Sequence, residues 1–203
     1  MHNATEHITE LELEQGLAEV LSSPSNTGRI EAIFVRPTEN ERKAVNSARL
    51  SCEGGIDGDR WANDSYYRTD DGAPDPRCQV SVMNARFLRQ IAGDDEAMCL
   101  AGNNLIVDFD LSEESLPTGS LLRVGSEVVL EISDLPHTGC SKIASRYGNA
   151  ARSFMNKKCR KLLNLRGRYA KIVQGGTIHI GDTIEKTTPI ARGQMRLPMK
   201  PAE

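Results

Sequence analysis

Aromatic side chains are scarce: four Phe, four Tyr and one Trp make up 4% of 203 residues. Binding of single-stranded nucleic acid relies on such rings as stacking platforms, so nucleic acid ranks low among the expected partners. No apolar run approaches the roughly 18 residues of a membrane span. The N-terminus also lacks a basic segment followed by an apolar one. The expectation is therefore a cytoplasmic protein with no membrane partner. CxxC spacing is missing, and the five cysteines, Cys52, Cys78, Cys99, Cys140 and Cys159, are odd in number. That removes the grounds for a disulfide framework or a zinc knuckle, and reduced thiols follow. Neither a P-loop nor a GxGxxG fingerprint occurs, the four His form no ligand cluster, and no internal repeat is evident.

The most informative absence is local. From Leu135 to Gly181 there is no Asp or Glu, while ten Lys and Arg fall between Lys142 and Lys171 in a chain of formal charge -3. Clustered cations raise the local concentration of anions, which points to a phosphate or a similar ligand. The other reading is a solvated helix face. Cys140 stands beside this block and supplies a soft ligand or nucleophile. Lys142 and Arg146 favour its thiolate, and His137 adds to this if protonated. The other four cysteines are expected to be small buried residues.

The length suits one sizeable core and one domain. Residues 1–28 carry five Glu and no Lys or Arg, and read as an acidic tail or a short helix over Glu10 to Leu21 that could lie across the basic region. Strands are predicted over Arg29 to Arg36, Ala44 to Leu50, Gln79 to Met83 and LIVDF from Leu105. A hairpin is predicted around Gly125-Ser126, and a second, Tyr169 to Gln174 with Thr177 to Ile184, around Gly175-Gly176. Helices are predicted over Ala85 to Ile91, capped by Asn84, and from Asn149 to Asn164. Asp64 to Arg77 reads as a long surface loop of the kind that forms lids, and residues 187–203 as a tail. Seven or eight short strands without regular βαβ alternation give a mainly β fold, an antiparallel barrel with a few short helices, over 29–186.

Four stretches then carry a resemblance. GGIDGDRW, NNLIVD followed by DLSEESLPTGSLLRVGSEVVLEIS, the PHTGCSK turn, and LRGRYAKIVQGGTIHIGD occur in that order. Together they resemble the MOSC family, the domain at the C-terminus of molybdenum cofactor sulfurases. The chain looks like a stand-alone bacterial member without the desulfurase domain that binds pyridoxal phosphate, so pyridoxal phosphate is not expected.

The resemblance implies a barrel that binds the molybdenum cofactor (molybdopterin) or handles its sulfur. It places the family's characteristic cysteine, a molybdenum ligand in related amidoxime-reducing enzymes, at Cys140, followed by Lys142 as the second catalytic candidate. Asp57, Gly58, Asp59 and Arg60 belong to the glycine-rich signature. Asn104, Arg166, Arg168 and Gln174 sit in matching segments as cofactor-binding candidates, with arginine suited to phosphate. Asn104 reads either as a pterin contact or as a structural turn residue.

Two function classes stay open at this point. One is a molybdenum-dependent reductase of N-hydroxylated compounds, served by an electron-donor flavoprotein or iron-sulfur protein. The other is a carrier of cofactor or persulfide sulfur for an acceptor molybdoenzyme.

Overall fold

The computed structural model describes residues 7–187. In chain order the helices are α1 (Glu10–Leu21), α2 (Ala85–Ala92), α3 (Asp95–Met98) and α4 (Ser141–Asn156). The strands of the first half are β1 (Thr27–Val35), β2 (Lys43–Val45), β3 (Ser47–Ser51), β4 (Gly55–Ile56), β5 (Val80–Asn84) and β6 (Leu105–Asp108). Those of the second half are β7 (Leu121–Val124), β8 (Val128–Ile132), β9 (Arg168–Gln174), β10 (Gly176–His179) and β11 (Thr183–Thr187).

Seven strands close into a barrel in the order β11-β7-β8-β9-β5-β6-β1, with β1 pairing back onto β11 and β2 extending β1. Every neighbouring pair is antiparallel except β5 and β6, which are joined through α2. Closure removes the open sheet edge that would otherwise invite association. Alternation fills the interior: Val80 and Val82 of β5, Leu105 and Val107 of β6, and Val128, Leu130 and Ile132 of β8 belong to one buried cluster.

β5 is buried at all five positions. Its outward-facing Met83, with Ile106 of β6, lies under a helical layer containing Phe87, Leu88, Tyr147, Ala151 and Phe154. A strand covered on both faces must pair its buried polar side chains, and those of β5 are paired: Ser81 Oγ donates to Asn104 Oδ1, and Asn84 Nδ2 donates to Ser23 Oγ and the Phe109 carbonyl.

The acidic N-terminal segment is a docked helix rather than a tail. Its capping box is complete, with Glu12 N–H donating to Thr9 Oγ1 and Thr9 N–H donating to Glu12 Oε2. Leu13 is fully buried, and Gln90 Nε2 donates to the carbonyls of Glu12 and Leu13. Glu10 pairs with Lys157 and Glu14 with Arg160, so α1 does lie across part of the basic block. Leu11 and Leu21 of the same helix are exposed.

Three further expectations are corrected. The Gly175-Gly176 turn does not close a hairpin, because β10 leaves β9 and pairs with β3 in a separate three-stranded sheet with β4. Gly175 permits this: a Cβ there would stand 2.5 Å from the Leu50 carbonyl oxygen. The basic helix starts at Ser141, eight residues before the predicted Asn149, and ends at Asn156, beyond which Lys158–Leu163 is 3-10. Gly148 hid that start by interrupting the helical pattern. The predicted strand from Ala44 to Leu50 is likewise split between β2 and β3, which belong to different sheets. Of the expected C-terminal tail, 188–203 lie outside the described residues. No described helix is long and apolar enough to cross a membrane.

Gly167 separates Arg166 from Arg168 at φ +98, and a Cβ there would come within 2.0 Å of the Val82 carbonyl oxygen. Backbone in this region disfavours any side chain, and the facing atom belongs to a central strand that cannot move aside. Gly167→Ala is expected to cost about 3 kcal/mol. The reading is a lower urea midpoint at unchanged slope. A midpoint equal to the parent's would show that the turn relaxes freely.

Candidate functional site

A cleft of about 220 Å³ opens where β1 ends and where β6 and β9 begin. Its walls are unusually cationic. Arg36, Arg42, Arg60, Lys142, Arg146 and Arg166 line it, against two acids, Glu39 and Asp64. Three of the cations are neutralised within the fold: Arg36 by Asp59, Arg60 by Asp64 and Lys142 by Glu39. The other three have no carboxylate partner among the described residues. Arg146 donates to the Leu100 carbonyl, and Arg166 to the Ala101 carbonyl and to Asn103. The buried Nε atoms of Arg42 and Arg166 have no hydrogen-bond partner.

Such crowding shows in the titration of these groups. Burial first, then Arg146 and Arg36, pushes Arg42 down from the usual guanidinium range. Burial likewise lowers Arg166, to about 10. An anion in the cleft would offset the mutual repulsion of these guanidinium groups, since it supplies the missing negative charge.

Cys140 stands at the first turn of α4 as its N-cap residue, with its side chain exposed to the cleft. The thiol itself forms no capping hydrogen bond. Burial works against its thiolate, but the backbone N–H groups of Ile143 and Lys142, together with Arg166, outweigh burial and lower the thiol's pKa. His137 does not contribute a positive charge. Burial, with Arg166 and Arg36 nearby, holds its pKa well below the ordinary histidine value, so it is neutral. Its ring stacks on Tyr169 with centroids 4.1 Å apart.

The GGIDGDRW segment builds the cleft without forming a phosphate cradle. Asp59 is buried and accepts from Arg36 N, Nε and Nη2, from Trp61 N and from Asn104 Nδ2. A carboxylate with that many donors is an anchor, and what it anchors is the Arg36 guanidinium in the cleft wall. Asn104 is fully buried, with Oδ1 accepting from Ser81 and Nδ2 donating to Phe34 O and Asp59. Of its two readings, the structural one describes where it sits. Asp57 and Gly58 are exposed, outside the cleft lining.

The remaining candidates separate cleanly. Cys140, Lys142, Arg60 and Arg166 come together in the cleft. Arg168 points elsewhere and is committed to Glu113 Oε2 at 2.7 Å, Thr118 Oγ1 and the Leu116 carbonyl. Gln174 is exposed and donates to the Glu127 carbonyl.

Sequence reasoning missed Arg36, Arg42 and the tyrosine wall. Arg36 could have been suspected from the strand end it occupies, whereas Arg42 has no local signal. Cys78 also lines the cleft, although burial raises its pKa and its Sγ is engaged with Asp75 O and Ser65 Oγ. Cys52 and Cys159, expected to be buried, are exposed.

Residues 64–77 form one wall of the cleft through Asp64, Ser65, Tyr66 and Tyr67. They fold into a small hairpin, with Thr69 N–H donating to Ala73 O and Asp75 N–H to Tyr67 O. Trp61 Nε1 and the Tyr67 hydroxyl tie it to its surroundings through Asp75 O and Pro136 O.

Among solved structures, the chain is similar to YuaD from Bacillus subtilis, at 22% identity over 79% of this chain and 95% of that one, with a TM-score of 0.56. YiiM from Geobacillus stearothermophilus is similar at 15% identity over 79% and 75%, with a TM-score of 0.53. YiiM from Escherichia coli follows at 16% over 80% and 71%, with a TM-score of 0.51. These likenesses establish a shared fold. No curated protein sequence matches. The MOSC domain family matches residues 71–185, which include β5 to β9 and the Cys140 turn and leave GGIDGDRW outside. With more than half its length matched and its barrel shared with these structures, the chain belongs to the MOSC domain family.

Proposed function

We propose that this protein binds the molybdenum cofactor in the cationic cleft with Cys140 on the metal, and that it reduces N-hydroxylated compounds. The observation that carries the reading is the exposed Cys140 thiol at the edge of a cleft whose Arg42, Arg146 and Arg166 lack carboxylate partners among the described residues.

The donor set fits that group. No cluster of three His, Cys, Asp or Glu that could hold a bare ion exists among the described residues. A metal here would have to arrive with most of its ligands, as it does on a dithiolene, and take one soft thiolate from the protein. Arg42, Arg146 and Arg166 would face the anionic part of the cofactor from the cleft wall. Lys142, exposed and held by Glu39, is free to exchange that surface partner for a ligand. When bound, the cofactor supplies two-electron redox chemistry, with electrons delivered by a partner flavoprotein or iron-sulfur protein.

Metal analysis of freshly purified protein, followed by a reduced-viologen assay with hydroxylamine-type substrates, tests the reading. Bound molybdenum that turns over supports the reductase, and no molybdenum at all would overturn it. The exposure of Cys140 favours one alternative, a carrier of cofactor or persulfide sulfur for an acceptor molybdoenzyme. Bound molybdenum or sulfur without turnover would select it.

Arg42→Ala is expected to weaken cofactor retention at least about tenfold with no loss of melting temperature, since it removes an unpaired cation from a repulsive cluster. The defect should shrink as salt rises. Retention equal to the parent's at low and high salt would make Arg42 a bystander.

A further inference from the structure

α4 is not one rod. Gly148, at φ 89 and ψ 161, lies outside the helical range and divides Ser141–Asn156 into two arms. At 1.5 Å per residue those arms are about 10 and 12 Å long, and a straight helix would carry Asn156 about 24 Å from Cys140. Instead the chain doubles back. Asn156 Oδ1 accepts from Gly139 N–H at 2.8 Å, and Asn156 Nδ2 donates to the Gly139 carbonyl at 2.8 Å. Arg152 Nε, from the same arm, reaches that carbonyl at 3.4 Å.

Packing closes the remaining side. A Cβ on Gly139 would stand 2.7 Å from Met155 Sδ and 3.2 Å from Asn156 Nδ2. The residue before Cys140 is thus gripped by the returning arm at its N–H, at its carbonyl and along its Cα. A peptide held on one edge alone can pivot about its flanking dihedrals, and a pivot there would swing the next side chain. Held on both edges it cannot.

We infer that Asn156 is a positioning residue for Cys140, clamping the Gly139 backbone so that the next side chain keeps its place at the N-cap of α4, beside the cleft. The inference rests on Cys140 being the working thiol of the proposed function, but not on which cofactor it meets. Displacements of about 1 Å at a reacting atom are enough to matter, and none of these bonds involves a ligand.

The test is the pH dependence of iodoacetamide alkylation at Cys140 in the full-length protein, resolved by peptide mass spectrometry with exposed Cys52 and Cys159 as internal references. Asn156→Leu, close in shape but unable to make either bond, should raise the Cys140 midpoint by about one pH unit and leave the references in place. If Asn156→Leu does not fold, Asn156→Ser, too short to span both edges, carries the same expectation.

A lowered melting temperature without a shift of Cys140 relative to the references would make Asn156 merely structural and overturn the inference. An unchanged midpoint in a fully folded variant would do the same. Because the readout needs no metal, a parent protein without molybdenum would sink the proposed function while leaving this shift measurable. Retained molybdenum with an unmoved midpoint would sink this inference alone.

Discussion

Cys140→Ser is expected to abolish the proposed retention of molybdenum or sulfur and to leave the melting temperature equal to the parent's or slightly above it. The expectation of undiminished stability comes from position. Cys140 is the N-cap of α4, and its thiol forms no capping bond. Serine is among the preferred N-cap residues, with a hydroxyl oxygen that accepts well from the first-turn N–H groups. The substitution therefore keeps the helix start while removing the soft donor that a thiophilic metal needs.

In the parent, alkylation of Cys140 should persist as pH falls below the ordinary thiol value of about 8.5, since backbone N–H groups and Arg166 favour the thiolate. Cys159→Ser should lose neither metal nor activity, because that thiol is exposed outside the cleft. Full metal content and activity in Cys140→Ser would remove the reductase and the carrier together.

Arg168→Ala is expected to give the largest loss of stability, about 4 kcal/mol, without a specific effect on the cleft. Its guanidinium is buried, paired to Glu113, and bonded to Thr118 and to the Leu116 carbonyl. Removing it strands those acceptors and empties a core site. Glu113, itself part-exposed, can turn to water, which keeps the cost below that of a fully buried orphan charge. At this chain length the loss corresponds to a drop of about 8–16 °C in melting temperature. The fraction that remains folded should retain cofactor like the parent. Normal stability with lost cofactor would instead return Arg168 to the site.

Local pattern determined a good deal of this protein. The strand over Val80–Asn84, its Asn84-capped helix and the hairpin at Gly125 are written in periods of two and 3.6, and in cap and turn chemistry that acts over a few residues. The basic, acid-free surroundings of Cys140 were legible for a related reason: they are contiguous in sequence.

Tertiary structure alone decided which charges face the cleft. Arg166 and Arg168 are two residues apart and look equivalent in the chain, but the turn at Gly167 sends one into the cleft and the other into a structural ion pair. Two residues of the basic block, Lys157 and Arg160, are likewise spent on α1, while Arg36 and Arg42 enter from a segment about a hundred residues away. Charge acts through space, so its partners follow from barrel closure and from the doubling back of α4. No window of sequence contains both members of those pairs.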